Sequence, residues 1–305
     1  MEKVSIIIPA YNKAELTVKT VKSVLNQTYP HTEIIVVDDG SVDQTQEYLS
    51  EFKNRIQYVY QTNGGACSAR NLGIRLAQGE LIGFLDCDDL YLENKVELCV
   101  DFLKQNPDYG FIHTAAHFID KEEKIVGFYS HPKSRKQGWI ADRLILGNYI
   151  CNSTGIVRKS CLQEVGFFDE SIFMPADWDL WLRLAEKFKV GYINEPLTQY
   201  RTTENYIFSR IEKSQEEEKV VLNKFFMRNL RFSSLSKSRA YSHFHLRYAQ
   251  AFFIQEKDPR FREEFLLTLK KFPLNTKAFI HLLCFLFSPQ KLKSILRKKI
   301  LRYDE

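Results

Sequence analysis

Along the first hundred residues, apolar runs of strand length alternate with amphipathic runs of helix length, and this alternation restricts the chain to a layered α/β architecture. Val4–Ile8, Glu33–Asp38 and Ile56–Tyr60 read as strands, separated by the helix-patterned stretches Ala14–Gln27 and Gln44–Phe52. Strands joined through helices run parallel, because a crossover returns the chain to the starting edge of the sheet. The pattern continues with a helix near Ala66–Ala77, a buried strand at Leu81–Leu85 and a helix from Glu93 to Gln105. That helix is expected to stop before Asn106 and Pro107, since a residue preceding proline resists the helical backbone.

Beyond Tyr109 the pattern shortens to strands at Gly110–His117 and Ile125–Tyr129, with a basic loop, HPKSRKQG, at His131–Gly138. A helix over Asp179–Phe188 follows Met174 and Pro175, with Asp179 expected as its N-cap. After Tyr206 only helices are expected, punctuated by Pro259, Pro273 and Pro289, with the acidic run Glu216–Glu218 on a solvated face. The predicted organisation is an α/β domain over residues 1–205 and a helical region over 206–305.

The net charge of +5 is unevenly spread: −6 over residues 1–110, −1 over 111–220 and +12 over 221–305. The basic end is also where the longest apolar run lies. AFIHLLCFLF, from Ala278 to Phe287, is half the ~20 residues a helix needs to cross a bilayer. The six cysteines lack C-x-x-C spacing and are expected to be reduced thiols of a cytoplasmic protein rather than disulfides or a zinc site. His31, His113, His117 and His131 show no metal-ligand spacing either.

Four polar clusters fall at the ends of predicted strands: Pro9–Asn12, Asp38–Ser41, Asn63–Gly65 leading to Arg70 and Asn71, and Asp86–Asp89. In a parallel sheet, ligands bind beyond the carboxyl ends of the strands. Carboxylates crowded on one such edge repel each other unless a cation or hydrogen-bond donors compensate. Mg2+ or Mn2+ suits the D-x-D spacing of Asp86 and Asp88, because such ions take few protein carboxylates and fill their shell with phosphate and water oxygens. NGGACSARN lacks G-x-G-x-x-G spacing and no G-x-x-x-x-G-K-[ST] occurs, which argues against a dinucleotide fold and a P-loop ATPase.

VSIIIPAYNKAE, EIIVVDDGSVDQT, NGGACSARNLGI, GELIGFLDCDDLYLENK and ADWDLWLRL, in that order, resemble the motifs of the family 2 glycosyltransferases over roughly residues 3–205. The resemblance implies a GT-A fold, a Rossmann-like mixed sheet flanked by helices, with residues 1–110 binding the nucleotide-sugar and 111–205 facing the acceptor. It also implies a nucleotide-diphospho-sugar donor, a divalent metal (Mn2+ or Mg2+) and inversion at the anomeric carbon. By motif position, Pro9 and Tyr11 resemble the wall of a uracil pocket, Asp39 the acceptor of the base N–H and Arg70 a base or phosphate contact. Asp86 matches the position facing the ribose hydroxyls, and Asp88 with Asp89 the metal-facing end of D-x-D. Asp177 is the candidate general base, in a motif where the family usually has Glu and this chain has Ala176. Trp178 and Trp181 are candidates either for bordering the acceptor or for the core, and Cys87 for a small buried filler.

Residues 275–302 join the apolar run to KLKSILRKKILR, in which Lys291, Lys293, Arg297, Lys298, Lys299 and Arg302 alternate with leucine and isoleucine. This reads as an amphipathic helix lying on an anionic membrane, alternatively as a terminal helix packed on the domain with a solvated basic face. No nucleic-acid-binding module accompanies the charge. The expected activity is therefore transfer of a sugar from a UDP-sugar to a saccharide or lipid-linked acceptor, peripheral on the inner face of the cell membrane, in surface-polysaccharide or glycolipid assembly. Two rivals are a sugar-phosphate nucleotidyltransferase, disfavoured because PAYNKAE is not a Gly-rich, Lys/Arg-bearing triphosphate loop, and a GT-A scaffold without turnover.

Overall fold

A computed structural model describes residues 1–129, 136–202, 211–254, 260–287, 290 and 296. Most of the basic loop at 131–138 and nearly all of the basic half of the 275–302 segment lie outside these residues. The chain divides into two compact units, residues 1–140 with 149–202, and residues 141–148 with 203–305.

The first unit begins with β1 (Val4–Ala10), α1 (Ala14–Leu25), β2 (Thr32–Asp38), α2 (Thr45–Leu49), β3 (Gln57–Tyr60), α3 (Ala66–Leu76), β4 (Leu81–Phe84), β5 (Leu90–Tyr91) and α4 (Lys95–Gln105). All seven residues of β1 are buried, as befits a central strand covered on both faces. On α1 the buried residues Ala14, Thr17, Val21 and Val24 recur at helical spacing, the stripe that turns toward the sheet. On α3, Gly73 allows the closest approach to β1: a Cβ there would lie 2.4 Å from the side chain of Ile7.

Further along come β6 (Tyr109–Ile119) and β7 (Ile125–Tyr129), then α5 (Ala141–Leu144), which belongs to the second unit. The chain returns to the first unit with β8 (Ile156–Arg158), α6 (Lys159–Val165), α7 (Ala176–Lys187) and β9 (Lys189–Arg201). Among the described residues these strands make one nine-stranded mixed sheet, ordered β3-β2-β1-β4-β8-β6-β9-β5, with β7 paired to β6. Strands β3, β2, β1 and β4 are mutually parallel, whereas β8 runs antiparallel to both β4 and β6. Successive crossovers carry the chain outward from β1 to β3, and α3 then brings it back to β4 on the other side of β1. The strand order thus reverses between β1 and β4, a topological switch point where ligands bind in open α/β sheets.

Two elements depart from the sequence expectations. The long strand β9 was not foreseen; in its register with β6, Asn194 and Glu195 bulge outward between Ile193 and Pro196, which breaks the period-two pattern. Helix α7 starts at Ala176 with Pro175 as its N-cap, so Asp179 is not a cap but a buried residue within the helix, paired with Arg183 at 2.8 Å.

Among the described residues the second unit holds α5 and four longer helices, α8 (Ile211–Arg228), α9 (Ser234–Ile254), α10 (Arg260–Lys271) and α11 (Thr276–Phe287). Leu246, Ala249, Phe265 and Ala278 form its core, flanked by Phe261 and Leu269. Arg247 explains why residues 141–148 join this unit: its guanidinium donates to the carbonyl of Leu146 at 2.6 Å and to Glu218 at 2.5 Å. Among the described residues no helix is long and apolar enough to cross a membrane.

Candidate active site

Chain folding brings Pro9 near the end of β1, Asp39 just after β2, Arg70 on α3, and Asp86 and Asp88 after β4 to the carboxyl edge of the sheet. The loops are tied together from beneath. The amide of Asn12, in a left-handed conformation (φ 50), donates to Ser41 Oγ at 3.0 Å, and its side-chain carbonyl accepts from the backbone of Val42 at 2.8 Å. Gly40 also takes a left-handed φ of 81, and a Cβ there would lie 2.8 Å from the backbone nitrogen of Asn63. Pro9 is buried in β1, and Tyr11 just beyond it is 48% exposed, leaving its ring open to a ligand.

The two acids after β2 have separate duties. Asp38 accepts from the Ser41 backbone at 2.8 Å and the Tyr58 hydroxyl at 2.6 Å; burial and this carboxylate raise the tyrosine's pKa. Asp39 is buried and accepts from the backbone of Gly64 and Gly65, both at 2.8 Å, and from Gln61 Nε2 at 2.6 Å. Its negative charge faces the N-terminus of α3, which the helix dipole favours. An ionised carboxylate offers about four lone-pair sites, so three donors leave room for one more.

Arg70, on α3, donates to Asp86 Oδ1 at 2.6 Å and lies over the ring of Phe168 at 5.4 Å. Burial alone would lower the guanidinium's pKa, but the charge of Asp86 outweighs it and the net direction is upward. The buried Nε of Arg70 has no acceptor among the described residues. Asp86 Oδ1 also accepts from Asn152 Nδ2 at 3.0 Å, while its backbone nitrogen donates to Ser153 Oγ at 3.1 Å.

Asp88 and Asp89 point to different fates. Asp88 is 19% exposed at the side chain, and its Oδ2 lies 2.5 Å from Lys13 Nζ. Burial pulls the lysine's pKa down, but the charge and hydrogen bond of Asp88 outweigh that and raise it. Asp89 is 1% exposed; Oδ1 accepts from the Arg201 backbone at 2.9 Å and Oδ2 from Ser153 Oγ at 2.5 Å. Burial, then the charges of Asp86 and Asp88, push its pKa well up. Asp89, expected with Asp88 at the metal-facing end of D-x-D, lies inside the loop and anchors it, each oxygen accepting one hydrogen bond.

For a divalent ion the D-x-D loop offers one outward carboxylate, Asp88. A cationic group already rests on that carboxylate, and among the described residues no three His, Cys, Asp or Glu side chains converge on one point. A cation held here would draw its remaining ligands from diphosphate and water, the habit of Mg2+.

Asp177 occupies the first turn of α7, partly exposed, with Oδ1 accepting from the Trp178 backbone at 2.7 Å. Its charge is a lesser influence on Arg70, behind burial and Asp86, and on Cys67, behind burial and Arg70. Asn71 brings the two together: its side chain holds both main-chain groups of Phe168 and donates to Glu170 at 2.7 Å, pinning the loop before α7 onto α3. Arg183 closes the other side of that loop through the carbonyls of Val165, Gly166 and Phe167. Trp178 and Trp181 are fully buried, and Trp181 stacks on Phe111 at 5.2 Å; both are core residues. Cys87 is likewise buried, its thiol pushed up to about 12 by burial.

Several site residues had not been foreseen. Lys13, Gln61, Asn152, Ser153, Phe168 and Arg201 come from positions far apart in sequence. Arg201, at the end of β9, donates to the carbonyls of Asp88 and Asp120 at 3.0 and 2.9 Å, locking the D-x-D loop. Only Lys13, inside the YNKAE motif, stood next to a residue already singled out.

Residues 5–164 match the model of glycosyl transferase family 2. The chain belongs to this family. An uncharacterised glycosyltransferase of Rickettsia bellii is 37% identical over 201 residues, covering 65% of this chain and 29% of that protein. The Escherichia coli UDP-Glc:alpha-D-GlcNAc-diphosphoundecaprenol beta-1,3-glucosyltransferase WfaP is 33% identical over 204 residues, 66% of this chain and 78% of that enzyme. The chain spans 29% to 33% of the length of three Rickettsia relatives it matches. In structure it is similar to the mannosyltransferase PcManGT of Pyrobaculum calidifontis, solved with GDP-Man and Mn2+, at a TM-score of 0.62 and 17% identity over 100% of this chain and 88% of that one. The family 2 fold here is GT-A, a mixed sheet flanked by helices with helices at the C-terminal end.

Proposed function

We propose that this family 2 protein is an inverting glycosyltransferase that moves a sugar from a UDP-sugar to an acceptor hydroxyl in surface-polysaccharide or glycolipid assembly. The observation that carries the reading is the joining of Arg70 to Asp86, and of α3 to the Asp177 loop through Asn71, at the switch point between β1 and β4. The relative WfaP, whose name specifies a UDP-Glc donor and a diphosphoundecaprenol acceptor, supports the donor and the lipid-linked acceptor.

In this reading the exposed face of Tyr11, beside Pro9, stacks on the base, and the remaining lone pair of Asp39 accepts N3–H of uracil. The exposed part of the Arg70 guanidinium meets the base or a phosphate, and the outer oxygen of Asp86 meets the ribose hydroxyls. Asp88 holds the divalent ion, which when bound neutralises charge on the departing diphosphate. Asp177 takes the proton from the acceptor hydroxyl, a role worth ~10²–10⁴-fold in rate. The acceptor oxygen bonds to the anomeric carbon as the bond to the diphosphate breaks, the nucleoside diphosphate carries away the electron pair, and attack from the opposite face inverts the centre.

Residues 111–205 would then frame the acceptor and 275–302 would rest on the inner face of the membrane. Phe279 and Ile280 on α11 are 54% and 57% exposed, which supplies apolar contact area for such a surface. Release of nucleoside diphosphate from a panel of UDP-, GDP- and CDP-sugars, with and without Mn2+ and a diphosphoundecaprenol-linked saccharide, tests the proposal. Acceptor- and metal-dependent UDP release is expected; preference for a CDP- or GDP-sugar, or no release with any donor, overturns it.

A further inference from the structure

Lys13 has a place in the site that its motif does not announce. The residue immediately precedes α1, and its backbone is held there by Thr17, whose hydroxyl donates to the Lys13 carbonyl at 2.8 Å. The next residue, Ala14, is fixed through its amide to Asp43 Oδ2 at 3.1 Å. From this anchored base a flexible four-carbon stem carries a point charge onto Asp88, 75 residues away in sequence. The lysine side chain is 43% exposed, so part of it already stands in solvent beside the carboxylate.

An ammonium 2.5 Å from Asp88 Oδ2 and a divalent ion on the same carboxylate repel each other, so each weakens the hold of the other. What could draw the ammonium away is a stronger anion arriving beside it, and the donor's diphosphate is such a group. We infer that Lys13 is a placeholder cation that Asp88 exchanges for a divalent metal when a diphosphate arrives, so that metal and nucleotide binding are coupled through Lys13. This rests on the reading of the β1–β4 edge as the donor site. In the empty site Lys13 competes with metal; in the loaded site it is a positioning residue on the diphosphate. Because coupling free energies are reciprocal, UDP tightens Mn2+ binding by the same factor as Mn2+ tightens UDP binding.

The diphosphate itself also supplies metal ligands, so part of the coupling is independent of Lys13. The part due to an ion pair this exposed is a few-fold, about five-fold at most. Free Mn2+ measured by electron paramagnetic resonance, on the full chain with and without saturating UDP, separates the contributions. Lys13→Met should bind Mn2+ a few-fold more tightly than wild type when UDP is absent, and UDP should tighten Mn2+ by a smaller factor. Lys13→Arg, which keeps the charge, should retain the wild-type pattern. Mn2+ affinity in Lys13→Met that is equal to or weaker than wild type without UDP overturns the exchange while leaving the metal site standing. A wild-type protein that holds no Mn2+ even with UDP overturns the metal reading, and this inference with it.

Discussion

The side chain of Asn71 hydrogen-bonds both main-chain groups of Phe168, Oδ1 accepting from its nitrogen and Nδ2 donating to its oxygen, each at 2.9 Å. Arg70, the residue before Asn71, rests its guanidinium on the ring of that same phenylalanine. One helix turn thus fixes both the Arg70 guanidinium and the loop that leads to Asp177. Asn71→Ala would leave two buried main-chain groups unpaired, at a cost of about 1–3 kcal/mol. Chemical denaturation should show that loss, and turnover should fall more than UDP affinity, because the loop before Asp177 is released while Asp39 keeps its own partners. Unchanged stability and turnover would show that the clamp is dispensable.

Asp88 and Asp89 separate by experiment as they do in space. Asp88→Asn should abolish turnover and weaken UDP binding only when Mn2+ is present. Asp89→Ala should instead lower stability by about 1–3 kcal/mol, since it strands the Arg201 amide and the Ser153 hydroxyl, with Mn2+ affinity close to wild type. Calorimetric titration of Mn2+ in the presence of UDP decides: loss of binding in a folded Asp89→Ala protein, with binding kept in Asp88→Asn, would reverse the assignment.

The pH dependence of stability should carry a signature of His113. The ring is 1% exposed, and burial, reinforced by the charge of nearby Lys95, lowers its pKa to about 3. Its folded value lies below the unfolded one, so the unfolded chain binds the extra proton. The stability this contributes is fully present above about pH 6.5 and is lost as the pH falls from there toward 3. Between pH 6.5 and 5 the loss amounts to ~2 kcal/mol. Urea unfolding of wild type and His113→Gln at these two pH values should show a shallower decline in the variant; parallel declines would show that His113 titrates normally.

The β1–α1–β2–α2–β3 run and the acidic clusters at its strand ends were legible because both follow from local pattern: period, length and the rule that loops gather at the carboxyl edge. Which of Asp88 and Asp89 faces outward was not, because adjacent loop residues differ only in where Arg201 and Ser153 reach them, 112 and 64 residues away. Lys13 was hidden for the same reason, its partner lying 75 residues on. Strand β9 escaped because Asn194 and Glu195 interrupt its alternation, and the start of α7 because Asp179 resembled a cap while its carboxylate was committed to Arg183. That residues 141–148 group with the C-terminal helices depends on Arg247, more than ninety residues away.

In the proposed reaction Asp177 is the group that takes the proton of the acceptor hydroxyl. An amide is close in size to a carboxylate but takes no proton at neutral pH, so Asp177→Asn should bind the UDP-sugar with wild-type affinity. Only the chemical step should suffer. Single-turnover release of UDP at saturating donor, Mn2+ and acceptor is the measurement: a rate reduced ~10²-fold or more, with donor affinity preserved, is the expected result. A variant that transfers sugar within a few-fold of wild type would contradict it.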